Sequence, residues 1–216
     1  MHGTAIGTND DQVSENGALI DSGPLPDHFS RRTQIREAAL NLFAERGYQG
    51  TSMEAIARRV GVRASSLYNH IDSKQQLLVE IMIATMEDLI ADFEKATRTG
   101  DLVAKLRQAM EAHVRYHALH QPDVRVGNGE ILSLEEPSRS LVVGLRSQYA
   151  RMWQDLIEAG ENLGVFRTPS AQLATYALLE MGIGVSLWYR AEGSLSLDHI
   201  AGVYGDMAVH LLGLGA

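Results

Sequence analysis

Between Thr51 and Lys74 the chain gathers small hydroxyls, an amide, an imidazole, a phenol and several cations around a few short helical segments. Arg63, Ala64, Ser65, Ser66, Tyr68, Asn69 and His70 fall on or just before the outer face of one short helix. Thr51 and Ser52 begin the helix before it, and Lys74 begins the helix after it. Hydroxyls, amides and Lys at helix N-termini are typical phosphate-contacting groups. Arg in a major groove reads guanine edges, and Asn and Ser also reach base edges. The chemistry on offer is recognition of a polyanion.

The elements that must position these groups follow from the punctuation. Ile35, Ala38, Ala39, Leu42 and Phe43 recur at helical spacing and give the first segment one apolar face. Gly47 follows where a helix C-terminus wants a left-handed residue. Thr51-x-x-Glu54 has the form of a capping box. The next helix turns Ile56, Ala57 and Val60 inward, and Gly61 breaks it, with Val62 as an apolar plug for the turn. A second short helix is expected over Ala64 to His70, with Leu67 and Ile71 inward. Two short helices joined by a tight Gly-containing turn form a helix-turn-helix, whose second helix enters the major groove.

The run Thr51-Ser52-x-x-x-Ile56-Ala57-x-x-x-Gly61-Val62-x-x-x-x-Leu67-Tyr68-x-His70-x-x-Ser73-Lys74 resembles the TetR family signature. The resemblance implies a homodimeric transcriptional repressor released from double-stranded operator DNA by a small-molecule effector. It assigns the positions of Thr51, Tyr68, His70 and Lys74 to phosphates, and those of Arg63, Ala64, Ser65, Ser66 and Asn69 to bases or nearby backbone. Many members carry Ser or Thr as the recognition-helix cap where this chain has Arg63. The cap must then come from elsewhere, and Arg63 is free either to read guanine or to grip phosphate.

Charge is distributed in keeping with this. The 216 residues carry a net charge of -8, yet residues 31–80 hold eight Lys/Arg against five Asp/Glu. Residues 1–30 hold five acids and no Lys or Arg. Positive charge is thus concentrated where phosphate would be met, as counterion release requires. With no Cys, disulfides and thiolate metal sites are excluded, in agreement with a reducing cytoplasm. No signal peptide is legible, and the apolar run near Leu178 to Tyr189 contains Glu180 and is too short to span a membrane. Residues 1–28, rich in Gly, Ser, Asn, Asp and Pro, read as a disordered tail.

The expected architecture is all-α, with about nine helices. A helix-turn-helix DNA-binding domain over 29–75 precedes an effector-binding and dimerisation domain over 76–216. The fourth helix starts at Ser73 and is long enough to join the two as a lever. A fifth, Leu102 to His120, is capped by Asp101 and stopped by Pro122; residues 121–136 read as a loop with at most one short helix, offering Arg125, Asn128 and Glu130 to a ligand. Long helices follow over Ser138 to Leu163, Ala171 to Arg190 and Leu197 to Leu214. The helix after Ala171 is apolar nearly all round and is expected to be buried on several sides. In the family the last two helices form the dimer interface, and these two suit that role.

Met110, His113, His117, Tyr149, Trp153, Tyr176, Met181 and Trp188, with Arg125, are the candidates to line an apolar effector pocket with polar tips. His113 and His117 also have the spacing to share one metal ion, but no acidic ligand stands at fixed spacing beside them, and cavity or core-edge roles are the other reading. Glu130 and Glu180 are the acids available to a cationic drug, the effector class of a multidrug-sensing regulator.

The segments Arg151-Met152-Trp153, Gly164-Val165-Phe166 and Trp188-Tyr189-Arg190 are similar to the TetR branch that responds to acyl-CoA thioesters. That similarity implies Arg125, Arg146 and Arg151 for the CoA phosphates and the apolar helices for the acyl chain. Against an enzyme, the chain has no Gly-x-Ser-x-Gly, no Walker loop and no complete dinucleotide fingerprint, since Gly182-x-Gly184 lacks its third glycine. A metal-dependent helical enzyme built on His113 and His117 is the remaining catalytic alternative; no cofactor is implied.

Overall fold

A computed structural model describes residues 27–213, with side chains from Arg31 onward. Residues 1–26, which hold nearly all of the expected tail, lie outside the described residues.

The first helix, α1 (Asp27–Arg46), turns Ile35, Ala39, Leu42 and Phe43 into a core it shares with α2 (Met53–Val60) and α3 (Ala64–Leu67). Between α2 and α3, Gly61 takes φ +78°, open to glycine and costly for most residues, and the Val62 amide returns to the Ala57 carbonyl at 3.0 Å. α2 is capped one residue later than its sequence suggests: Ser52 Oγ accepts from the Ala55 amide at 3.2 Å. The capping box expected from Thr51 and Glu54 is not formed, because the Thr51 hydroxyl is turned inward. α3 has no side-chain cap at Arg63 and spans four residues, fewer than the seven expected. Leu67, fully buried, anchors it, and the chain then turns through His70, whose carbonyl accepts from Arg32 Nη1 at 2.8 Å.

α4 (Lys74–Ala96), capped by Ser73 Oγ on the Gln76 amide, belongs to two cores at once. Leu77, Leu78, Ile81 and Met82 pack into the helix-turn-helix core, whereas Met86, Leu89 and Phe93 pack into the second core. That second core lies among α4, α5 (Leu102–Leu119), α7 (Ser138–Asn162), α8 (Ala171–Trp188) and α9 (Leu197–Leu211).

Residues 121–136 hold the one short helix that the loop reading allowed. They form α6 (Gln121–Gly129) and a single 3-10 turn (Ile131–Ser133). Pro122 starts α6, because the first-turn position needs no N–H from it. α6 packs on both α1 and α4, so the cores of the two regions meet along it. α8 departs from expectation: Ala174, Leu178 and Val185 are buried, but Leu173, Tyr176, Leu187 and Trp188 form an exposed apolar face in the single chain. Among the described residues, no helix is long and apolar enough to cross a membrane.

Candidate nucleic-acid interface and effector cavity

The outer surface of α2–α3 keeps Ser52, Arg63, Ser65, Tyr68 and Asn69 exposed, with Ala64, Ser66 and His70 half-buried beside them. Tyr68 is 54% exposed although it follows the buried Leu67, so its phenol is held out by the backbone. The seven polar side chains among these eight residues lie along the outer edge of the helix-turn-helix.

Two of the expected phosphate ligands do not belong to that edge. Thr51 is 1% exposed, and its hydroxyl meets the Leu42 and Gly47 carbonyls at 3.1 and 2.9 Å. It ties the end of α1 to the start of α2. Lys74 is half-buried over the Tyr48 ring, 4.1 Å from its centroid, and Nζ donates to the Tyr48 and Thr51 carbonyls at 2.8 Å each. Burial lowers its ammonium pKa, with Glu130 acting in the opposite sense. Both side chains are bonded within the domain, unlike the outward, phosphate-facing placement expected from the resemblance. Arg32 was not singled out by spacing. It holds the end of the recognition turn through the His70 carbonyl and an ion pair with Glu80.

The second site is a cavity of about 260 Å³ lined by α4, α5, α6, α7 and α8. Met82, Met86, Leu89, Val124 and Ile183 supply apolar wall; Thr85, His117, Asp123, Asn128, Arg146 and Tyr149 supply polar atoms. Of the expected lining residues, His113, His117, Tyr149 and Tyr176 do face it. Met110 and Trp153 are fully buried behind the wall, where Trp153 packs on Phe93 at 5.3 Å. Met181 packs on the core without reaching the wall. Trp188 is exposed at the end of α8, and Arg125 lies outside, with Nη1 3.4 Å from the Ala44 carbonyl. Asp123 and Thr85 escaped sequence reading because only the packing of α4 against α6 brings them to the wall.

The histidines are specified by their partners. His113 Nε2 must donate to the Leu179 carbonyl at 3.0 Å, which leaves Nδ1 to accept from the Tyr149 hydroxyl at 2.9 Å. Both ring nitrogens are therefore engaged, and His117 donates Nδ1–H to the His113 carbonyl at 2.7 Å. The pair does not present a shared ligand set, and among the described residues no three His, Asp or Glu side chains cluster to hold a metal. Burial, with the neighbouring imidazole, pushes His113 well below the usual range, and burial takes His117 down to about 4. Gly182 lets α8 close over this pair, since a Cβ there would overlap the His113 ring. Asp123 is shifted upward by burial.

The cavity shares Arg146, Tyr176 and Glu180 with a second, more polar depression of about 530 Å³ between α7 and α8, which adds Arg151, Gln154, Gln172 and Thr175. Arg146 Nη2 donates to the Gly127 carbonyl and lies 3.4 Å from Asn128 Oδ1, so it seals one edge of the cavity.

Comparison with known proteins agrees with both halves of this description. Residues 35–81 match the family model for bacterial regulatory proteins of the tetR family, and residues 99–212 match that for the tetracyclin repressor-like C-terminal domain. Over 185 residues the chain is 30% identical to the HTH-type transcriptional repressor KstR2 of Rhodococcus jostii, covering 81% of this chain and 87% of that protein. The ketosteroid transcriptional regulator KstR2 of Mycobacterium tuberculosis superposes with a TM-score of 0.78 at 25% identity, over 86% of this chain and 95% of its own. AibR, solved in complex with isovaleryl coenzyme A and operator DNA, shares the fold with a TM-score of 0.75 at 24% identity, over 85% and 99% of the two chains. With a helix-turn-helix edge at one end, a helical cavity at the other and family models matching over both, the chain belongs to the TetR family of transcriptional regulators.

Proposed function

We propose that the protein is a repressor that binds a palindromic operator as a homodimer and leaves it when a compact acyl-CoA thioester enters the cavity. The observation that carries the ligand class is the junction of two unlike depressions. An apolar chamber of about 260 Å³ shares a rim with a polar groove holding Arg146 and Arg151. A thioester needs both, one for the acyl group and one for the phosphates, and Arg is suited to gripping phosphate. The chamber ends against the buried side chains of His113 and Tyr149, and a short or cyclic acyl group is the occupant proposed for it. The complex of AibR with isovaleryl coenzyme A supports the same class.

On the DNA side, Ser52, Tyr68 and His70 contact phosphates, Ser65 and Asn69 face base edges, and Arg63 takes one of these two roles. The exposed apolar faces of α8 (Leu173, Leu187, Trp188) and α9 (Met207, Leu211) support a dimer through these helices. An isologous dimer sets two recognition helices about one helical turn apart on the duplex.

The test is fluorescence-anisotropy binding to DNA upstream of the protein's own coding region, at two salt concentrations, with short-chain, cyclic and long-chain acyl-CoAs and with free CoA. Release by the compact thioesters alone is expected. Binding that every thioester leaves intact would end the acyl-CoA reading, and no binding at either salt would end the operator reading at that site.

A further inference from the structure

The effector cavity and the helix-turn-helix meet at a carboxylate. Four residues of the nine-residue α6 line the cavity: Asp123, Val124, Gly127 and Asn128. Immediately after α6 stands Glu130, whose amide closes the helix on the Val126 carbonyl at 3.0 Å. Its side chain crosses to the other domain. Oε1 accepts from the Tyr48 amide at 2.9 Å, in the turn between α1 and α2, and Oε2 accepts from the Ser133 hydroxyl at 2.7 Å.

From Tyr48 the connection runs on to the DNA-facing edge. The Tyr48 carbonyl and the Thr51 carbonyl share the Lys74 ammonium, and Thr51 precedes Ser52, the cap of α2. The Gln75 side-chain amide lies between the Tyr48 hydroxyl at 2.8 Å and the Ser133 carbonyl at 3.3 Å, a second strut across the same gap. Space is tight here: a Cβ on Gly47, which has φ +76°, would stand 3.3 Å from Glu130 Oε1. A backbone amide held by a charged carboxylate in a half-buried gap is a strong, directional tie.

We propose that Glu130 is a positioning residue for DNA binding: its carboxylate pins the α1–α2 corner to the cavity wall, so operator affinity follows the position of α6. This route is distinct from leverage through α4, whose Leu77, Leu78, Ile81 and Met82 lie in one core and whose Met86, Leu89 and Phe93 lie in the other. The inference rests on the operator-binding reading, but one limb of its test needs no DNA.

Charge and position predict opposite signs. Removing an acid from a protein that binds a polyanion strengthens binding if only the field changes. Removing the pin weakens it. In the full-length protein, Glu130→Ala is expected to lose roughly tenfold in operator affinity, the usual worth of one hydrogen bond to a charged group, with an unchanged salt slope. Glu130→Gln retains an acceptor oxygen and loses less. Arg146→Ala, which removes the anchor on the Gly127 carbonyl, frees α6 and is expected to weaken operator binding in the wild-type background but to add nothing to Glu130→Ala.

The limb without DNA is hydrogen exchange of the Tyr48 amide, followed by NMR. It is slow in the wild type, faster in Glu130→Ala, and faster when α6 is displaced, with overall helicity retained. Glu130→Ala binding as tightly as wild type or more so, losses that multiply in the double variant, or an unmoved Tyr48 amide would each overturn the proposal. If the wild type binds no operator, the DNA reading falls alone, and the exchange experiment still decides whether cavity wall and corner are joined.

Discussion

The helix-turn-helix edge and the effector cavity use the same kinds of side chain in opposite ways. On the edge, Arg63, Ser65, Tyr68 and Asn69 are exposed, and their side chains have no hydrogen-bond partner among the described residues; α3 even forgoes a capping side chain to place Arg63 at its start. In the cavity wall, His113, His117 and Tyr149 are buried and bonded to one another or to backbone. A polar group kept free at the cost of a cap is suited to meet a partner from outside. A polar group satisfied internally fixes the shape of a chamber. The contrast means that substitutions at the edge should change binding and leave stability alone, and that those in the interior should do the reverse.

The largest effect expected is on stability at mild acid. Buried as neutral rings, His113 and His117 resist protonation in the folded chain, while the unfolded chain protonates near the ordinary imidazole value. A depressed basic group favours folding above the unfolded pKa, and that contribution is lost as pH falls from about 6.5 towards 4. With its folded value at about 4, His117 alone accounts for about 3 kcal/mol across this window. Urea denaturation at pH 7 and pH 5 should show the fall, and His117→Gln should reduce it. A pH-independent unfolding free energy in the wild type would mean that the pair is solvated and the chamber is not the closed structure described.

Next comes Thr51, which tests whether an expected DNA ligand has been correctly moved to the interior. Thr51→Val removes the donor shared by the Leu42 and Gly47 carbonyls with little change of shape, and about 1–3 kcal/mol of stability should go with it. Operator binding should weaken only through the shifted corner, with no fall in the number of phosphates neutralised. A stable Thr51→Val protein with a shallower salt dependence would return Thr51 to the phosphate-contacting set.

The Thr51 case also explains what the sequence could and could not reveal. Helix ends set by local chemistry were legible: Gly61, Ser73 and Asp101 each act within four residues of themselves, so short-range spacing suffices. Thr51 and Ser52 offer two hydroxyls at adjacent positions, and local pattern cannot tell which is the cap. The decision lies with the Leu42 carbonyl, nine residues back, which only tertiary packing presents. The internal bonds of Lys74 were hidden for the same reason, since its partners are 26 and 23 residues away. In the cavity, His113 and His117 were found through their helical stripe, whereas Asp123 was hidden in a segment read as loop. Trp188 was taken for a pocket aromatic because an apolar helix looks buried all round, and its exposed face needs a second surface to explain it.

The smallest effect belongs to the exposed edge, where it tests the comparison from the other side. Tyr68→Phe deletes one hydroxyl that is exposed and has no hydrogen-bond partner among the described residues. Folding stability should change by less than about 0.5 kcal/mol, as for other surface changes. On the proposed reading the hydroxyl donates to a DNA phosphate, and its loss should cost about 0.5–1.5 kcal/mol, a two- to tenfold weakening. Because a phosphate carries no sequence information, the loss should be equal on operator and on unrelated DNA, and the specificity ratio should hold. Arg63→Ala in parallel distinguishes the two roles left open for that side chain: a base reader loses operator binding and spares unrelated DNA, whereas a phosphate grip loses both. Equal affinity of Tyr68→Phe and wild type on every DNA would remove Tyr68 from the interface. A Tyr68→Phe protein that bound normally but unfolded early would show that the phenol packs like the cavity's polar groups, and the division between an outward-facing edge and a self-satisfied chamber would not hold.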